Sequence, residues 1–238
     1  MAFVFEVQSQ DISDLNHLDL TRLLKMLLHL EARSAGIAER TVEVALSIHV
    51  ADGGEDGRIG WTGVPESTPF LPSRLVQFQN KATKLQPARC ANEIVGKDGR
   101  LKPMVESALD DGGAYIMFTT TQLNREQKIA CIDALRNKLK KVGKPYADTA
   151  TIDIYDAARI QGWTNCYLAA ITAVLNWVGR PLPHGLRTWD TWEQYNDNHL
   201  FAYVDKGRKD IIESLRHLLS KPRTCARVIG LSGLGKPD

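Results

Sequence analysis

Arg74-Leu-Val-Gln-Phe-Gln79 and, further on, Ala114-Tyr-Ile-Met-Phe-Thr-Thr120 are the stretches on which the fold turns. Both are short, apolar and supplied with β-branched or aromatic residues, which suits strands, and 114–120 has the composition of a strand buried on both faces. Between them Leu101 to Leu109 has helical spacing, and Asp110-Asp-Gly-Gly113 stops it. Downstream, Arg125 to Val142 reads as a long amphipathic helix ending at Gly143, and Thr151-Ile-Asp-Ile-Tyr155 as a last short strand. Upstream, Leu15, Leu18, Leu20, Leu23, Leu24, Leu27, Leu28 and Leu30 recur at three- and four-residue intervals, so a helix starts after Asp14 and ends near Gly36. Thr41 to Val50 alternates like a strand, Asp52 to Gly57 is a tight turn, and Arg58-Ile-Gly-Trp61 returns as the second arm of a hairpin. The order through residue 155 is helix, strand, strand, strand, helix, strand, helix, strand: an α/β chain with a mixed central sheet flanked by helices.

After Tyr155 the character changes. Asp156 to Val178 is helical and aromatic, a Gly/Pro-containing passage leads to Trp189 and Trp192, and Asp210 to Leu219 is another helix. Trp163, Trp177, Trp189 and Trp192 read as packing residues of a C-terminal helical extension against the core. The expected organisation is a core over 1–155, a helical extension over 156–224, and the start of a further domain over 225–238.

Composition excludes several classes. The chain has 238 residues, 43% hydrophobic and 24% charged, with 30 Lys+Arg against 28 Asp+Glu, which rules out a disordered or collagenous chain. A formal charge of +2 is too mild to argue nucleic-acid binding from the global balance. Cysteines at 90, 131, 166 and 225 are too scattered for a zinc pattern and too few for a disulfide framework. With no signal-peptide pattern and no membrane-length apolar run, the expected location is cytoplasmic.

Two words carry chemistry: Asp52-Gly-Gly-Glu-Asp56-Gly57 and Gln79-Asn80-Lys81. Hydrolysing a phosphodiester with Mg²⁺ or Mn²⁺ needs hard oxygen ligands and a cation near the scissile phosphate. Asp56 at a hairpin turn, beside Gln79 and Lys81 on a neighbouring strand, can supply both, because alternation puts Gln79 and Lys81 on one face. Either word alone is also what a plain turn or a solvated strand end looks like; their combination favours a site. Asp52 is better suited to capping the turn than to binding metal. Arg74, Lys81, Lys84 and Arg89 cluster beside these words and suit phosphate contacts, whereas Arg136, Lys138, Lys140, Lys141 and Lys144 read as a solvated helix face.

The pair DGGEDG and Q-x-K resembles the core of Mrr-like restriction endonucleases, a branch of the PD-(D/E)xK nuclease superfamily in which Gln-x-Lys replaces Glu-x-Lys. The resemblance implies a restriction-endonuclease-like sheet, with Asp56 as principal metal ligand, Gln79 lining the metal site and Lys81 as the catalytic lysine. It also implies an acid from the preceding helix, for which Glu31 is the choice and Asp19 the alternative. Near the end, Gly230-Leu-Ser-Gly-Leu-Gly235-Lys236 after an apolar run fits the phosphate-cradling loop of P-loop NTPases. Pro237 stands where the Mg²⁺-binding Ser/Thr belongs, so nucleotide hydrolysis by the chain as given is not expected, and ATP binding is assigned to a longer parent protein. Together with the passage from Tyr155 to Asp205, this resembles bacterial antiviral STAND NTPases of the Avs type, whose N-terminal effector is often such a nuclease.

The resemblance therefore implies a DNA endonuclease effector of little intrinsic sequence specificity, acting on double-stranded DNA. It would be switched on by homo-oligomerisation through the NTPase region, with a phage protein as trigger. The competing expectation is a catalytically degenerate module for nucleic-acid binding or oligomerisation, which the neutral Gln79 keeps open.

Overall fold

The computed structural model describes residues 6–45, 56–180 and 206–219. Residues 1–191 form one compact unit and 192–238 a second. In the first, α1 (Ser9–Ser13) and α2 (His17–Ala35) precede β1 (Val42–Glu43), β2 (Gly57–Gly60) and β3 (Leu75–Lys81). Then come α3 (Pro87–Glu93), α4 (Pro103–Asp110), β4 (Ala114–Thr119), α5 (Arg125–Lys141), β5 (Thr151–Tyr155), α6 (Ala157–Thr164) and α7 (Leu168–Trp177). In the second unit, α8 (Lys206–Leu219) is described.

The five strands lie in sequence order in one sheet. β1, β2 and β3 are antiparallel neighbours, and β3, β4 and β5 run parallel, linked by helices. This is an α/β fold with a mixed sheet flanked by helices on both faces. Double coverage explains why every residue of β4 is buried and why its sequence is continuously apolar instead of alternating.

Each face of the sheet has its own core. Val76, Phe78, Ile116, Phe118 and Tyr155 pack against the leucines of α2 and against α6 and α7. Tyr115, Met117, Ile152 and Ile154 pack against α3, α4 and α5. Helix α2 starts where the Asn16 side chain accepts from the Asp19 N–H at 3.0 Å, and stops at Gly36, whose φ of 71° is left-handed. Asn124 and Gln127 close α5 reciprocally as a capping box.

The expected boundary at 155/156 falls inside the first unit. Ala157, Ile160 and Trp163 of α6 and Ala170, Ile171, Val174 and Leu175 of α7 belong to the first core cluster, so these helices form one wall of the core. Two further differences are local. Residues 87–93 form a helix, started by Pro87 in its first turn, which the sequence analysis did not assign. Within 41–45 only Val42 and Glu43 pair as a strand, while residues 46–55, with most of the expected strand and turn, lie outside the described residues.

Gly113 joins α4 to β4 at the tightest backbone approach. A Cβ there would lie 2.7 Å from the Ala108 carbonyl oxygen and 2.8 Å from that of Leu75. Neither can yield without moving backbone, so Gly113→Ala is expected to cost about 1–3 kcal/mol, read as a lowered thermal midpoint.

Candidate functional site

Asp56 immediately precedes β2 and donates its N–H to the Phe78 carbonyl at 3.1 Å. Its Oδ2 accepts from Gln79 Nε2 and from the Asn80 N–H, both at 2.6 Å. The carboxylate is therefore fixed across the end of β3 by one side-chain and one main-chain donor. Asn80 points to the opposite face, where its Nδ2 donates to Thr21 Oγ1 of α2 at 3.0 Å.

The register places Gln77, Gln79 and Lys81 beside Tyr115, Met117 and Thr119, on the face covered by α3, α4 and α5. Gln79 and Lys81 thus share the face that the sequence assigned to them. The Lys81 ammonium lies 2.7 Å from Glu93 Oε2 at the last residue of α3, and Lys102 Nζ approaches the same oxygen at 4.0 Å.

Gln79 Oε1 and Tyr115 Oη are buried here and have no hydrogen-bond partner among the described residues. Burial pushes the Tyr115 hydroxyl well above its usual range, and Glu93 and then Asp56 push it the same way. Both carboxylates therefore act on one buried phenol.

Glu31 is not gathered into this cluster. Its Oε2 accepts from Trp163 Nε1 at 3.0 Å and from Tyr167 Oη at 2.7 Å. It lies ten residues beyond Thr21 on α2, which is about 15 Å along the axis from the turn that touches Asn80. It also borders a cleft of about 500 Å³ whose other walls are Ser34, Ala35 and loop residues between Val64 and Pro69. Burial of this acid therefore has a structural cause: it ties α2 to α6 and to the start of α7. The alternative, Asp19, accepts from Asn16 Nδ2 at 2.6 Å and pairs with Arg22 at 3.0 Å in the first turn of α2.

The basic residues divide as follows. Arg74 pairs with Glu66 at 3.1 Å and donates to the Gly63 carbonyl. Arg89 donates to the Lys84 carbonyl at 3.3 Å, which steadies the segment between β3 and α3. On the other group, Lys140 pairs with Asp148 at 2.6 Å and Lys144 with Glu106 at 2.6 Å, so much of that face is internally compensated. Asp52, Trp189, Trp192, Gly230, Gly235 and Lys236 lie outside the described residues.

The sequence reading missed Glu93. Its only signal is an acid on the segment after Q-x-K, and its partnership with Lys81 depends on where α3 (Pro87–Glu93) ends.

A divalent cation can be tested against this donor set. Asp56 offers carboxylate oxygen and Gln79 a buried carbonyl oxygen lacking a partner, hard ligands of the kind Mg²⁺ takes while keeping several waters. Among the described residues no group of three or more His, Cys, Asp and Glu converges as a metal site. Also among the described residues, no helix is long and apolar enough to cross a membrane. In comparisons with known proteins, the chain matches no family model, no curated protein and no solved structure, so the site's own chemistry is what bears on function.

Proposed function

We propose that the chain is a Mg²⁺- or Mn²⁺-dependent DNA endonuclease of restriction-endonuclease-like fold, of Mrr-like type. The observation that carries the reading is the Asp56 carboxylate held at 2.6 Å by Gln79 and Asn80, next to Lys81 on the face of Gln79. When bound, the cation supplies Lewis-acid polarisation of the phosphate and of an attacking water. Asp56 anchors that cation through a carboxylate whose direction is fixed by the Asn80 N–H. Gln79 contributes its carbonyl oxygen, and the weaker, neutral ligand makes cation affinity lower than a Glu would give. Lys81 offsets the charge that builds on the phosphate oxygens. Phosphate contacts by Lys84 and Arg89 would hold duplex DNA through its backbone and confer little sequence preference.

As an effector of an antiviral STAND NTPase of Avs type, the nuclease would be held weakly active until the NTPase region oligomerises in response to a phage protein. A second reading, a non-catalytic nucleic-acid-binding or oligomerisation module, draws on two observations. Gln79 brings no charge to the site, and Glu93 already engages Lys81.

Cleavage of supercoiled plasmid with Mg²⁺ or Mn²⁺ separates them. Lys81→Ala is expected to lower the rate by about 10²–10³-fold while leaving the fold intact. Indistinguishable behaviour of wild type, Lys81→Ala and Asp56→Ala would remove the nuclease reading and leave the binding module.

A further inference from the structure

Gln79 brings a neutral oxygen where a carboxylate would bring a charge, so of the two cation ligands read among the described residues only Asp56 is charged, while Lys81 adds a positive charge on the same face as Gln79. Like charges in a partly buried site repel strongly, and a second negative group is needed close by. Glu93 is that group. Its Oε2 lies 2.7 Å from Lys81 Nζ and 4.0 Å from Lys102 Nζ, and its side chain is 21% exposed. Glu93 thus holds two ammonium groups, and it and Asp56 both act on Tyr115, so removing Glu93 would leave Lys81 and Lys102 without this counter-charge before any cation arrives.

On the same face of the sheet, two buried oxygens without a partner among the described residues point to a ligand. Gln79 is 6% exposed and keeps Oε1 without a partner while its Nε2 sits on Asp56. Tyr115 is 1% exposed, its hydroxyl is also unpartnered, and Asp56 and Glu93 both act on that phenol. Buried polar atoms are rarely left unsatisfied, and unpartnered oxygens beside two carboxylates are suited to a hard, hydrated cation.

Resting on the reading of Asp56 and Gln79 as a cation site, we propose that Glu93 supplies the site's second negative charge, holding Lys81 with Oε2 and balancing the cation through its retained water shell. Glu93 is thus a positioning residue, and Glu31 on the opposite side of the sheet is not part of the site.

Mn²⁺ titration of the full chain, read from the electron paramagnetic resonance signal of the free ion, tests this without relying on cleavage. Glu93→Gln is expected to raise the Mn²⁺ Kd about ten-fold or more, and Asp56→Asn to abolish specific binding. Glu31→Gln should leave the Kd unchanged. Lys81→Met should lower it, because the competing ammonium is gone and Glu93 is released. An unchanged Kd in Glu93→Gln, with binding still lost in Asp56→Asn, overturns the role of Glu93 and leaves the cation site standing. Equal binding by wild type and Asp56→Asn removes the site itself, and the proposal with it. Should Glu93→Gln fail to fold by circular dichroism, Lys81→Met decides: tighter binding supports the proposal, and unchanged or weaker binding overturns it.

Discussion

Asp56→Asn is expected to keep the chain folded and to lose DNA cleavage by at least about 10²–10³-fold, the scale on which a single electrostatic stabiliser of a transition state acts. The two consequences separate because Asp56 has two tasks. Structurally, its Oδ2 accepts from Gln79 Nε2 and the Asn80 N–H at 2.6 Å. An Asn carbonyl oxygen can accept from both, so the loss is only the extra strength of hydrogen bonds to a charged acceptor, about 1–2 kcal/mol. Chemically, the amide brings no negative charge, and the cation loses its one charged ligand in the proposed centre. Asp56→Ala is the harsher change, because it strips these donors of their acceptor at a cost of about 1–3 kcal/mol. Plasmid relaxation rates set beside thermal melts of the three proteins check this. Cleavage by Asp56→Asn at the wild-type rate would end the hydrolase reading, whatever the melts show.

The strands that build this site were legible because burial on both faces imposes a composition. Arg74 to Gln79 read as a strand and Ala114 to Thr120 as a buried one, close to the observed Leu75–Lys81 and Ala114–Thr119, and the period of two put Gln79 and Lys81 on one face. Partners distant in sequence were not legible. Glu31 is the choice over Asp19 as the helix acid that the resemblance implies, although the sequence does not fix the phase of α2. Its actual donors, Trp163 and Tyr167, come 132 and 136 residues later, and no local pattern announces them. Glu93 was hidden for the same reason. Its position depends on the helix Pro87–Glu93, which the polar, basic text after Lys81 did not suggest. Trp163 and Trp177 were legible as residues packing against the core, and both do so; that α6 and α7 form one of its walls was not, since a buried Trp looks alike in an extension and in a core.

Trp163 shows how much depends on that last point. It is fully buried and stacks on Phe70 with ring centroids 5.1 Å apart and planes 8° from parallel. Phe78, Phe118 and Tyr155, at 6.2 to 6.4 Å, surround it from three strands of the sheet. Trp163→Ala would empty this space and remove a donor from the buried Glu31 carboxyl, so a loss of about 3–5 kcal/mol is expected, or roughly 6–20 °C in thermal midpoint for a unit of this size. Trp163→Phe keeps part of the aromatic packing and loses the Nε1 donor, but Tyr167 still serves Glu31, so a smaller loss of about 1–3 kcal/mol is expected. The ordering Ala below Phe below wild type distinguishes a core tryptophan from one on an appended layer, for which both changes would leave the main transition in place. Because Phe78 lies between Gln77 and Gln79 on β3, the same experiment reaches the site. A strand whose inner face has lost its support cannot hold Gln79 and Asn80 against Asp56, so Trp163→Ala should weaken Mn²⁺ binding well below its melting temperature, although Trp163 lies on the far side of the sheet.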